Sequence, residues 1–175
     1  MANVDNPHGL RTLGRTLSGG CPYIQWFQKD ASEAAAIFAQ DAVNREADGN
    51  IEANSATPGT TLYSGVSLNH GAASTLTNHA VIVSPDAVYE AQDNNDTDGF
   101  AAVDLGLNVN IELNAGSSTT LLSGHELDES TANTTSTLDL HMLALLNVPD
   151  NAYGSFSRIE VVFNKHRMNP AVAGV

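Results

Sequence analysis

Leu105-Gly106-Leu107-Asn108-Val109-Asn110-Ile111-Glu112-Leu113 decides the fold class of this chain. Five apolar residues alternate with Gly106, Asn108, Asn110 and Glu112. A period of two over nine residues gives a β-strand one apolar face and one wetted face. The same signature recurs on either side. Ile159, Val161 and Phe163 alternate with Arg158, Glu160 and Asn164, and Leu138, Leu140 and Met142 alternate with Asp139 and His141 before an apolar run to Val148. Leu62, Ser64, Val66 and Leu68 form a further candidate, and Val81 to Val83 a short one ahead of Pro85.

Turn-rich stretches at 53–59, 69–78, 93–99, 114–118 and 130–136 separate these segments. Short strands spaced by such loops predict an all-β fold with a compact barrel or sandwich-like core. Residues 1–20 are expected as an extended N-terminal arm: Asn6-Pro7 disfavours helix, and Gly9, Gly14, Gly19 and Gly20 keep the segment open. Residues 21–175 form one β-rich domain. One segment stays open. Asp30-Ala-Ser-Glu33 before Ala34-Ala-Ala36 has the form of a capping box opening a helix, while Ile37-Phe38 into Gln40-Asp41-Ala42-Val43 reads equally as a strand entering a turn.

The 175 residues suffice for one domain with a real core, which buries roughly 70% of the unfolded surface. No apolar run reaches the length of a membrane span, and residues 1–20 lack the apolar centre of a secretion signal, so synthesis in a cytoplasm is expected. Cys21 is the only cysteine, which excludes an internal disulfide. The formal charge of −13 argues against nucleic acid as a partner. From Glu46 to Ser157 there is no Lys or Arg; all seven, at 11, 15, 29, 45, 158, 165 and 167, lie outside that stretch. Such a distribution suits either a soluble acidic surface with self-compensating ends, or termini that dock on an acidic partner while the middle faces water.

The chain has no G-x-S-x-G elbow, phosphate loop, G-x-G-x-x-G or C-x-x-C pair, so no catalytic residue and no cofactor are expected. His125-Glu126-Leu127-Asp128-Glu129 has Glu129 where a zinc helix needs its second histidine, and it reads as a solvated acidic turn. Asn94-Asn-Asp96-Thr-Asp98-Gly99 has the first half of a calcium loop, but Leu105 stands where the bidentate Glu belongs, so an acidic hairpin loop is the better reading and no metal site is expected.

The opening stretch, Met1-Ala2-Asn3-Val4-Asp5-Asn6-Pro7-His8-Gly9-Leu10, with its Asn-Pro-x-Gly motif, resembles the start of the capsid decoration (cement) proteins of tailed bacteriophages, with Arg11 and Arg15 in the place of the basic residue that follows. Ala36 to Val43 resembles that family's apolar–Gly-Asp-x-Val segment, with Gln40 in place of Gly, and Leu62 to Val66 its short Gly-Val strand. The resemblance favours a strand at Ala36–Ala39. It implies a β-barrel-like core, an N-terminal arm, and attachment to the major capsid protein on the outside of the virion shell, as a dimer or trimer, with no role for nucleic acid or membrane. The expected contact residues are Asn6, Pro7, Leu10, Arg11, Leu13, Arg15, Tyr23 and Trp26, because aromatic and Arg anchors dominate binding energy. The alternative is a β-rich recognition module, such as a fibre head or a carbohydrate-binding domain.

Overall fold

A computed structural model describes residues 3–54, 58–60, 62–96 and 98–168. Eleven strands are present among them: β1 (Arg11–Thr16), β2 (Ile24–Lys29), β3 (Ala42–Arg45), β4 (Ile51–Ala53), β5 (Gly65–Ser67), β6 (Thr77–Ile82), β7 (Ala87–Gln92), β8 (Asn108–Glu112), β9 (Glu126–Asn133), β10 (Leu140–Leu145) and β11 (Arg158–Phe163). They form two sheets, ordered β1-β7-β11-β10-β8-β9 and β2-β6-β5-β3-β4. Every pairing between these strands is antiparallel. The fold is all-β, as the alternating pattern predicts. It is sandwich-like rather than a closed barrel, because each sheet ends on strands with only one neighbour: β1 and β9 in one, β2 and β4 in the other.

The core lies between the sheets. Tyr89 and Ala91 of β7, Val109 and Ile111 of β8, Leu140 and Met142 of β10, and Ile159, Val161 and Phe163 of β11 meet Ala42, Val66 and Ile82 from the other sheet. Phe163 stacks on Tyr63 at 5.2 Å and meets Tyr89 edge-on at 5.6 Å. A side chain of this size contributes roughly 1.5–3 kcal/mol by leaving water. The five-stranded sheet also buries its other face. Val43 and Val81, next in sequence to Ala42 and Ile82, join Ile37, Ile51 and Val83 in a second cluster against which Phe27 packs.

Three segments differ from their sequence reading. Residues 30–39 form neither helix nor strand. Asp30 Oδ1 does accept the N–H groups of Ser32 (2.6 Å) and Glu33 (3.1 Å), as a capping residue would, but the chain then makes only single bridges, Ile37 to Gly71 and Ala39 to Leu122. Residues 125–129, expected as a solvated acidic turn, and the first part of the 130–136 loop instead form strand β9 (Glu126–Asn133) on the sheet edge, where polar side chains meet water. The third is the N-terminal segment expected as an arm. Its residues 11–16 are the edge strand β1, with Arg11 opposite Glu90 and Thr12 opposite Tyr89 on β7. Leu10 is buried in the main core, and its N–H bonds to Gln40 O at 3.0 Å. Gly9 (φ +75) permits this entry, since any Cβ there would collide with Ser123 and the Gln40 carbonyl.

Candidate partner-binding surface

Strand β2 runs beside β6 in unbroken register from Ile24 opposite Ile82 to Lys29 opposite Thr77. Side chains alternate across it, and paired residues of antiparallel strands share a face. Gln25, Phe27 and Lys29 therefore share the face of Val81, where Gln25 is exposed, Phe27 half-buried and Lys29 buried. Lys29 is fully buried there, its ammonium donating to the carbonyls of Ala72 (3.1 Å), Glu33 (3.2 Å), Thr75 (3.4 Å) and Asp30 (3.5 Å). Ile24 and Trp26 share the inward face with Ile82, a residue of the main core. Yet Ile24 is 45% and Trp26 69% exposed. The inner face of this edge strand thus carries apolar side chains that the rest of the sandwich leaves half to two-thirds uncovered. Tyr23 and Leu17 extend the exposed apolar surface, each tied into place by the 84–86 turn. Tyr23 N–H donates to Ser84 Oγ (2.7 Å), and Leu17 N–H to Asp86 O (2.9 Å).

The other three edges carry guards against strand addition. β4 is three residues long. β9 bears Glu126, Asp128 and Glu129 and loses register against β8 between Asn108 and Asn110. β1 bears Arg11 and Arg15 and loses register against β7 between Thr12 and Thr16. Charged side chains, short length and bulges each oppose edge pairing. β2 has none of these. Cys21 to Gln28 carries no charge in a chain of net −13, and Lys29 is turned inward.

The residues expected to bind a partner divide accordingly. Tyr23 and Trp26 are exposed on the β2 surface. Asn6 and Pro7 are exposed in the segment that leads to β1, where Asn6 N–H donates to Gln92 Oε1 at 3.0 Å. Leu13 is half-buried, and Leu10 is inside the core, where it meets no partner. Arg15 pairs with Glu160. Arg11 pairs with Glu90 at 2.5 Å, a fully buried carboxylate that also holds Arg158 (2.9 Å) and His8 Nε2 (3.0 Å). Burial pushes the Glu90 carboxyl up, and hydrogen bonds from His8, Arg158 and Arg11 outweigh it, leaving a pKa of about 2. Arg11, Arg15 and Arg158 thus each pair with a carboxylate of their own chain. Sequence reading passed over Ile24, because an apolar residue in a strand pattern looks like core.

Asn94, Asp98 and Gly99 are tied to the neighbouring strands β8 and β9. Asn94 Nδ2 donates to Glu112 (2.7 Å), and the N–H groups of Asp98 (3.1 Å) and Gly99 (2.8 Å) donate to Glu129. Among the described residues, carboxylates gather instead at Asp30, Glu46 and Asp48, with Glu33 and Glu52 beside them. His125, on the way into β9, is buried with Nε2 3.5 Å from Asp41 Oδ1. No family model, curated protein or solved structure matches this chain.

Proposed function

We propose that the protein is a capsid decoration protein that attaches through the β2 edge to the outer surface of an assembled phage shell. The observation that carries the docking role is the placement of Ile24 and Trp26: large apolar side chains, 45% and 69% exposed, on an edge strand whose only charged residue, Lys29, is buried. A partner that covers them removes apolar surface from water and can add main-chain hydrogen bonds along the free edge. The shell as partner rests on the resemblance of the opening decapeptide to phage decoration proteins. The net charge of −13 keeps a densely arrayed module soluble. A module that binds only the assembled shell stabilises it by mass action, and assembly as a dimer or trimer would multiply the contacts.

Co-sedimentation with purified, undecorated shells of the encoding phage tests this. Trp26→Ala and Ile24→Ser leave the fold intact, because both side chains are exposed. A buried aromatic anchor contributes about 2 kcal/mol or more, so Trp26→Ala is expected to weaken shell binding roughly thirtyfold. Unchanged co-sedimentation overturns the docking surface. Loss of self-association in place of shell binding identifies a second copy as the occupant, and loss of glycan binding identifies the alternative, a recognition module.

A further inference from the structure

A second site lies on the six-stranded sheet, away from the β2 edge. The segment 3–8 crosses the outer face of β7 and β11 and leaves an open cleft of about 530 Å³ between itself and the 149–158 turn. The segment is pinned at both ends. Asn3 Nδ2 donates to the carbonyls of Ala152 (2.8 Å) and Ser155 (2.9 Å), Ala152 N–H donates back to Asn3 Oδ1 (3.1 Å), and His8 reaches Glu90. The cleft has the size of a small-molecule site.

Its chemistry selects a ligand class. The floor holds two guanidiniums around one carboxylate, Arg11 and Arg158 on Glu90. Arg11 is half-exposed and keeps donors facing the cleft, since Glu90 takes only part of its five N–H groups. Asp5 and Asp150 line the same cleft and oppose a second negative charge, so a monoanionic carboxylate suits the guanidiniums better than a phosphate dianion does. The walls add a second preference. Asp5 and Asp150 at the rim, with the Gln40 amide, favour a ligand that also offers hydroxyl donors, and Phe156 supplies an apolar face. The backbone is strained at this place. Gln40 (φ 75), Asp150 (φ 62) and Phe156 (φ 57) line the cleft and are three of the six described non-glycine residues with positive φ. Such strain is costly and clusters at ligand sites.

We infer that this cleft binds a hydroxylated carboxylate of monosaccharide size, a uronic acid unit of an acidic polysaccharide, with the carboxylate on Arg11 and Arg158 and the hydroxyls on the acidic rim.

Amide NMR titration of the full chain tests the site, with D-glucuronate as probe and glucose and inorganic phosphate as controls. Glucuronate is expected to shift amides at residues 3–11, 90–92 and 149–158, while glucose and phosphate do not. Arg11→Gln leaves Arg158 on Glu90 and removes one charge-assisted contact, and is expected to weaken glucuronate binding at least about tenfold. Asp150→Asn keeps a residue that tolerates positive φ and is expected to weaken it severalfold without a change in thermal stability. Absence of glucuronate-induced shifts overturns the inference. So do equal responses to glucuronate and phosphate, which mark an unspecific anion patch, and unchanged affinity in both variants.

Discussion

Asp93→Asn should make this protein more stable at alkaline pH and leave it unchanged at acid pH. Asp93 is fully buried at the end of β7, where Oδ2 accepts Phe156 N–H at 3.1 Å and Oδ1 has no hydrogen-bond partner. Burial raises its carboxyl from the ordinary 3.8 to about 7, with Glu129 and Asp96 adding negative charge against backbone hydrogen bonds from Asn95 and Phe156. The folded state thus holds a proton that the unfolded chain has released. The stability this proton contributes is fully present below pH 3.8 and is lost as pH rises through about 7. At ~1.4 kcal/mol per pH unit the full span is about 4 kcal/mol. Asn keeps the acceptor and the shape of the protonated acid while removing the titration. Urea unfolding at pH 4, 6 and 8 should therefore show no gain at pH 4 and a gain of about 2–4 kcal/mol at pH 8, equivalent to roughly 5–15 °C in Tm for a domain of this size. A variant less stable than the parent at pH 8 would refute the reasoning, because it would mean that the ionised carboxylate is held by contacts worth more than its desolvation.

Two further substitutions separate core from surface. Leu10→Ala should cost about 2–5 kcal/mol in urea unfolding, since it empties a core site, whereas Leu17→Ala should stay within about 0.5 kcal/mol. Lys29→Met removes the donor shared by four carbonyls and should cost about 2–4 kcal/mol, with hydrogen-exchange protection falling first at residues 30–33 and 72–75.

The strands that the sequence displays most plainly are those with one face in the core and one in water. β8 and β11 show Val109/Ile111 and Ile159/Val161/Phe163 inward with Asn110 and Glu160 outward, so their alternation survives in the residue types. β7 is buried on both faces, and its Val88-Tyr89-Glu90-Ala91 run shows no alternation of polarity, because Glu90 is buried through ion pairs rather than exposed. β9 fails in the other direction. Glu126-Leu-Asp-Glu-Ser-Thr-Ala-Asn133 puts one large apolar residue, Leu127, into the core, and its edge position leaves the rest free to be polar. In the candidate site, Tyr23 and Trp26 were legible as aromatics in a neutral stretch. Their exposure was not, since no local pattern reports how far the rest of the fold covers an edge strand. Leu10 shows the converse: an apolar residue in a polar, glycine-rich opening looks available to a partner until the fold takes it into the main core, with its N–H on the Gln40 carbonyl.

The charge distribution and the edge design support one another. A chain of net −13 repels its own copies over most of its surface, so self-pairing through β4 or β9 is opposed by charge as well as by geometry. β2 escapes both controls. An uncharged, in-register edge flanked by Tyr23, Ile24 and Trp26 would be an association hazard in a protein made in quantity and left alone. Retention of such an edge beside three guarded ones is explained if it spends its working life covered. Sedimentation of the free protein makes this quantitative. Self-association at high concentration that weakens with Trp26→Ala but not with neutralisation of Glu126 or Asp128 would show that the uncovered face, and no other edge, drives contact. A strictly monomeric parent at all concentrations would mean that Trp26 and Ile24 are too solvated to act as anchors, and the docking surface would have to be sought elsewhere.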